Sequence, residues 1–337
     1  MSSLKLGFRG EYRLILRNKD ESIKRIVGPF PNLITNVGLD QMFLGDWLSC
    51  IMVGTGSSTP AVTQTALDDE ITASKDFRSI VYYDRDATSN PAWVQDKVTA
   101  RFNIGWAVGN LSEVGVGWYT GSWTSSATKK PVGVDTSVFS RALILDEFGD
   151  PITITVVEDD ILDVEYTLTL FVDTSLREKT LSIGGVSRSI AARPISIATN
   201  NSWRIFTIRS TTTAPFSLPG QKIHMEGYRS PVVDETHYSE LLPVNGTSAT
   251  PGGYDSPSSI SLIKDTNYRQ DGIYTWNTGV GNVSNGIGWA FLTTGNQNNF
   301  HKYGVTTTYM FKIDPPIPKT ASNNLDLRYR ISVARHT

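Results

Sequence analysis

The run Leu162-Asp163-Val164-Glu165-Tyr166-Thr167-Leu168-Thr169-Leu170-Phe171-Val172 decides the fold. Leu162, Val164, Tyr166, Leu168, Leu170 and Val172 point one way, and Asp163, Glu165, Thr167 and Thr169 point the other. A period of two held this long is a half-buried β-strand, because successive side chains of an extended chain alternate faces. Just upstream, Ile152, Ile154 and Val156 alternate with Thr153 and Thr155 after the turn Phe148-Gly149-Asp150-Pro151. The acidic turn Glu158-Asp159-Asp160 is expected to pair these two strands as a hairpin.

The design recurs at the C-terminus, where Leu325, Leu327, Tyr329, Ile331 and Val333 alternate with Asp326, Arg328, Arg330 and Ser332. Leu162-Asp163-Val164-Glu165-Tyr166 parallels Leu325-Asp326-Leu327-Arg328-Tyr329. Upstream of each, Gly109-Asn110-Leu111-Ser112-Glu113-Val114-Gly115-Val116-Gly117-Trp118 echoes Gly281-Asn282-Val283-Ser284-Asn285-Gly286-Ile287-Gly288-Trp289 with one gap. Two echoes in one order predict an internal duplication; the competing reading is independent reuse of glycine-rich turns and alternating strands. The first half ends on its long strand, so the boundary is placed between Val172 and Glu178. The expected architecture is all-β: two β-sandwich-like domains, 1–173 with an N-terminal hairpin and 174–337, with one or two short helices.

Other elements fit this frame. Glu11 to Leu16 and Ile23 to Val27 flank the polar turn Asn18-Lys19-Asp20-Glu21 and read as a hairpin that ends at Pro29 and Pro31. Asn36 offers an N-cap for a short helix in which Leu39, Met42 and Phe43 share a face. Val53 to Pro60 is a strand ending in a loop, and Ala61 to Ile71 is either one more helical turn or irregular. Gly184-Gly185 marks a further hairpin, Trp203 to Ile208 a strand, and Val244 to Ser259 a long surface loop rich in Gly, Ser, Thr and Pro.

Composition narrows the function classes. The chain has 337 residues, with 31 Lys plus Arg against 33 Asp plus Glu, so its formal net charge is −2. A sequence-independent nucleic-acid binder needs a basic excess that this chain lacks. Hydrophobic residues at 39% support a core, and charged residues at 19% are too few for a disordered chain. Cys50 is the single cysteine, which precludes an intrachain disulfide. Its largely apolar surroundings, Trp47 to Val53, favour a buried inert thiol over a nucleophile. Residues 1–17 do not read as a signal peptide, and no run approaches the ~20 apolar residues of a membrane span. Synthesis in a reducing cytoplasm is expected.

Motifs for chemistry are few. His224, His237, His301 and His336 contain no zinc-type pair and no His-Glu-x-x-His, and the thiol is far in sequence from every His. Gly54-Thr55-Gly56-Ser57-Ser58 lacks the lysine of a phosphate loop and reads as a turn. The glycines at 279, 281, 286 and 288 have the wrong spacing for a dinucleotide fingerprint. Asp68-Asp69-Glu70 and Glu158-Asp159-Asp160 have the oxygen density for Ca²⁺ but not the ordered spacing, and read as solvated turns. A glycosidase needs two carboxylates ~5–10 Å apart, and the sequence singles out no such pair. Trp106, Trp118, Trp123, Trp203, Trp276 and Trp289 lie near Gly or Asn. They admit two readings, core or subunit contact and a carbohydrate platform; the first is favoured because large rings contribute most area there.

Several short pieces then form a series: Asn32-Leu33-Ile34-Thr35-Asn36-Val37-Gly38-Leu39-Asp40; Val53-Gly54-Thr55-Gly56 with Thr59-Pro60; Ser112-Glu113-Val114-Gly115; Phe139-Ser140-Arg141-Ala142-Leu143-Ile144; and Asp160-Ile161-Leu162-Asp163-Val164-Glu165-Tyr166. Over about residues 32–172 this series resembles structural proteins of tailed bacteriophages, described as tail fibre, tail or minor virion proteins. The second half departs from the pattern, with Thr306 to Met310 where Phe-Ser-Arg-Ala should stand. The resemblance implies a non-enzymatic virion component of the tail, baseplate or fibre-attachment region, assembled in the host cytoplasm. It implies contacts with other virion proteins and a homo-oligomer, trimer or ring. It implies no catalytic, cofactor-binding or metal-binding residue, and the sequence singles out no binding residue. The alternative expectation is a host-receptor module that contacts a surface glycan through loop Trp and Tyr; a glycan-cleaving enzyme is a third.

Overall fold

The computed structural model describes residues 3–42, 47–86, 89–124, 127–196, 224–228, 254–255, 259–265, 268–278, 283–295 and 305–337. The strands of the first half are β1 (Ser3–Arg17), β2 (Ile23–Pro31), β3 (Leu33–Ile34), β4 (Cys50–Gly54), β5 (Glu70–Ser74), β6 (Phe77–Asp86), β7 (Ala92–Phe102), β8 (Gly109–Leu111), β9 (Glu113–Thr120), β10 (Asp135–Leu143), β11 (Ile154–Val156) and β12 (Ile161–Val172). Those of the second are β13 (Arg177–Ile183), β14 (Val186–Ser196), β15 (His224–Tyr228), β16 (Tyr254–Asp255), β17 (Ser259–Asp265), β18 (Arg269–Trp276), β19 (Val283–Gly295), β20 (Val305–Lys319) and β21 (Leu325–Arg335). One short helix, α1 (Asn36–Gln41), follows β3. The protein is all-β. No helix among the described residues is long and apolar enough to cross a membrane.

The strand read first from sequence, β12, lies inside an eight-stranded sheet ordered β17-β18-β21-β1-β12-β7-β6, with β2 also paired to β1. Its upstream neighbour does not fold back on it. Ile154, Thr155 and Val156 pair instead with Leu111, Asn110 and Gly109 as a separate two-stranded ribbon, while β12 pairs with β1 and β7. Alternation identified both strands correctly, but the choice of partner came from tertiary packing: β1 and β7 offer β12 twelve- and eleven-residue ladders that a three-residue strand cannot match.

A second sheet, β3-β10-β9-β4-β5, packs on the first. Between the layers lie Tyr12, Leu14, Val164, Tyr166 and Leu168 from the large sheet and Ile51, Val53, Val114, Val116 and Phe139 from the smaller one, all buried. Burying side chains of this size stabilises the fold by roughly 1.5–3 kcal/mol each relative to exposure. The helix sits over β10, and Gly38 is required there because a Cβ would strike the backbone of Phe139. Thr35, not Asn36, is the N-cap: its Oγ accepts from Gly38 N at 2.9 Å and donates to Val138 O at 2.7 Å.

The large sheet reads nearly the same from either end. β1 is antiparallel to β12 and parallel to β21, so β12 and β21 flank it in opposite directions. Outward from β12 come β7 and β6; outward from β21 come β18 and β17. The other sheets repeat the correspondence, with β10-β9-β4-β5 in the first half and β20-β19-β15-β16 in the second. The sequence echoes fall on matching strands, residues 162–166 in β12 and 325–329 in β21, residues 113–118 in β9 and 283–289 in β19. What repeats is strand order; common ancestry of the halves belongs to the proposal below. β12 ends at Val172 and β13 begins a new sheet at Arg177, while β17, β18 and β21 join the sheet of the first half.

The hairpins expected at Glu11–Val27 and around Gly184-Gly185 are β1–β2 and β13–β14. Ala61 to Asp69 is irregular. Phe43, the strand Trp203–Ile208 and most of Val244–Ser259 lie outside the described residues; within the last stretch Tyr254–Asp255 is a strand paired with β15, so it is not loop throughout.

Candidate functional site

Three of the short pieces quoted from the sequence, 53–56, 112–115 and 139–144, meet at one place. Its centre is Glu113, the first residue of β9, which is fully buried. On the neighbouring strand Arg141 pairs with Gly115, so Glu113 and Arg141 are diagonal neighbours on one face. Arg141 is 1% exposed and its Nε donates to Glu113 Oε2 at 2.7 Å. The rest of the carboxylate accepts from three backbone amides of the β4–β5 loop: Gly56 N at 3.0 Å, Asp69 N at 2.8 Å and Asp68 N at 3.2 Å. A buried ion survives only when its hydrogen-bonding capacity is met in this way.

Arg141 distributes its other nitrogens over the same loop. Nη2 donates to Asp68 Oδ2 at 2.7 Å, and Nη1 donates to Gln64 Oε1 at 2.9 Å and to Ser58 Oγ at 3.4 Å. Asp68 accepts from Ser58 N at 3.0 Å and from the Ser58 hydroxyl. Burial opposes ionisation of Asp68, but the Ser58 hydrogen bonds and the Arg141 charge outweigh it and hold its carboxyl below the usual value. Gly54 and Gly56 are dictated by this packing. A Cβ on Gly54 would lie 2.6 Å from Glu113 Oε1, and one on Gly56 would collide with the same carboxylate. The Gly-Thr-Gly stretch is therefore a turn wrapped on a carboxylate of its own chain, with Ser112 Oγ donating to Gly56 O at 2.9 Å.

The remaining pieces adjoin it. Tyr12 Oη contacts Ser140 Oγ at 2.7 Å, and Asn32 Nδ2 donates to Tyr166 Oη at 3.1 Å. Burial pushes the Tyr12 and Tyr166 phenols up, so both stay neutral. Arg335, near the C-terminus, donates from Nε to Ile34 O at 2.5 Å and from Nη2 to Asn36 Oδ1 at 2.6 Å, tying β21 to the start of α1. Chemically the arrangement positions backbone: every polar atom named here is engaged with the chain itself.

The other sequence candidates occupy structural places. Cys50 is buried and burial pushes its thiol up, away from the thiolate a nucleophile needs. Asp69 accepts from Thr55 Oγ and Glu70 from Lys130 Nζ, whereas Asp160 caps Val157 N and accepts from Lys24 Nζ at 2.8 Å. Asp159 pairs with Lys19 at the exposed surface. Among the described residues, no group of three His, Cys, Asp or Glu is placed to hold a metal ion. His336 stacks on Phe171 at 3.6 Å between ring centroids; His237 and His301 lie outside the described residues. Trp47 and Trp123 are buried, and Trp106 and Trp118 pack against the core. Trp203 lies outside the described residues. A cleft of about 170 Å³ is lined by Glu11, Arg13, Lys97, Glu165 and neighbours, with Glu165 bridged by Arg13 and Lys97 at 3.5 Å each. It is smaller than the ~300–1,000 Å³ of ordinary small-molecule sites.

Sequence reading missed the Glu113–Arg141 pair as a unit. The available signal was one carboxylate and one guanidinium set among apolar strand residues, Val114 and Val116 on one strand, Phe139, Ala142 and Ile144 around the other. No family model, curated protein or solved structure matches the chain.

Proposed function

We propose that this chain is a non-enzymatic structural component of a bacteriophage virion, from the tail, baseplate or fibre-attachment region, built of two like halves that arose by duplication. The observation that carries the reading is the convergence at Glu113 and Arg141. Three of the residue pieces that resemble phage tail proteins, 53–56, 112–115 and 139–144, are far apart in the chain and come together in one buried joint that sets the β4–β5 loop, with those at 32–40 and 160–166 beside it. Such a joint uses its charges to fix backbone, as a rigid module that presents loops and edges to neighbouring subunits requires. The repeated strand order supports the duplication.

The mechanism is assembly: surfaces of preformed β-sheets buried against further copies and other virion proteins. The test is the native mass of the purified chain, followed by electron microscopy of the particles it forms. A discrete multimer, trimer or ring, is the expected result. A monomer that binds or hydrolyses a surface polysaccharide would replace this reading with one of its alternatives.

A further inference from the structure

Edge strands expose unpaired backbone groups, and folded proteins shield those edges they do not use. Most strand edges among the described residues are shielded. The outer side of β5 is covered by the segment around Lys129, with Lys130 N donating to Ala73 O and Lys75 N to Thr128 O, both at 2.9 Å. β6 carries two register shifts, and β2 carries Pro29, Pro31 and two shifts of its own. β3 and β16 are two residues long, and β8 and β11, the two edges of their ribbon, are three.

Two edges have none of these devices. β13 and β17 are each seven residues long, end their sheets, and run along their inner partners without a register shift or a proline. No described strand pairs with the outer side of either. The presented groups of β13 follow from its turn. Gly184 and Gly185 have φ of +60° and +78°, so the two-residue hairpin makes Ile183 and Val186 the first hydrogen-bonded pair. Alternation then turns the amide and carbonyl of Glu178, Thr180 and Ser182 outward, and all three residues are exposed.

The two edges are complementary in sequence. β13 reads Arg177-Glu178-Lys179-Thr180-Leu181-Ser182-Ile183, and β17 reversed reads Asp265-Lys264-Ile263-Leu262-Ser261-Ile260-Ser259. The antiparallel register that overlaps all seven residues sets Arg177 opposite Asp265 and Glu178 opposite Lys264. Pairing β13 with a second β13 over the same seven residues, about Thr180, sets Arg177 opposite Ile183 and Glu178 opposite Ser182 and brings no opposite charges together.

We propose that copies of this chain associate head to tail, β13 of one copy adding to β17 of the next as an antiparallel strand. The contact is heterologous, so it closes into a ring or continues as a filament. It deepens the structural reading above and rests on it.

The test is sedimentation velocity of the full chain at micromolar concentrations, with the circular dichroism spectrum and melting temperature of each variant as folding controls. Thr180→Pro removes an outward donor while sparing the bonds to β14, and should dissociate the multimer. Glu178→Lys and Lys264→Glu should each weaken association about tenfold, the size expected when an attractive cross-strand pair becomes repulsive. The two changes together in one chain should restore it. If Thr180→Pro does not fold, the charge exchange carries the test. A multimer indifferent to these changes, or one the double exchange fails to restore, overturns the edge pairing and leaves the building-block reading standing. A chain that stays monomeric throughout contradicts the pairing as well.

Discussion

Glu113 and Arg141 form a fully buried ion pair, Nε to Oε2 at 2.7 Å, whose remaining atoms grip a single loop. Removing either partner leaves an uncompensated charge in the interior. Glu113→Ala and Arg141→Ala should each cost about 3–5 kcal/mol in chemical denaturation. The double variant should cost less than the sum, with a coupling of about 0.5–3 kcal/mol. Costs that simply add would mean that the two side chains act independently.

Gly56 and Gly184 make a paired test of glycine roles. Gly56→Ala drives a methyl group into the Glu113 carboxylate and should destabilise the protein by about 1–3 kcal/mol. Gly184 has a positive φ but open space around its Cβ position. Gly184→Asn, which suits such a turn, should leave the melting temperature nearly unchanged.

Acid stability follows from Asp163 and Asp68. Burial would raise the Asp163 pKa, but hydrogen bonds from Arg101 and Arg17 and their charges hold it below the ordinary 3.8. Asp68 is held low in the same direction. A carboxyl whose pKa is lower in the folded chain contributes stability above its unfolded pKa and loses it as pH falls through the folded value. The main loss should therefore begin below about pH 4, and Asp163→Asn should be less stable at pH 7 with a shallower loss in that range. His336, lowered by burial and then by the Arg9 charge, favours the neutral ring in the folded state. It adds a shallower loss as pH falls below 6.5, and His336→Phe should remove that slope alone. Unfolding free energies measured across pH separate the two.

Arg335 links the last strand to the first helix. Arg335→Ala should lower stability by about 1–3 kcal/mol through the unpaired Ile34 carbonyl and Asn36 side chain. Hydrogen exchange should speed up at the α1 amides before it does at β9 and β10. Uniform acceleration across the chain would contradict this local role.

The sequence disclosed strands better than partners. β12 and β21 were legible because apolar and polar residues alternate along each, which is the pattern of an extended chain. β12 is not half-buried as its alternation suggests: its polar row is buried too, with Asp163, Thr167 and Thr169 enclosed and Asp163 held by Arg101 and Arg17. β7 also alternates strictly in burial, but Asp96 stands in its buried row and interrupts the apolar pattern. The pairing of β11 with β8, and the place of β1 between β12 and β21, depend on contacts distant in the chain. The Glu113–Arg141 joint was hidden for the same reason: 28 positions separate residues that only cross-strand register brings together.

The native mass of the 337-residue chain in solution, measured over a range of concentrations, bears most directly on its proposed role as a building block. Discrete multimers are the expected result. A lone monomer at every concentration, with turnover of a polysaccharide abolished by changing one carboxylate, would contradict it.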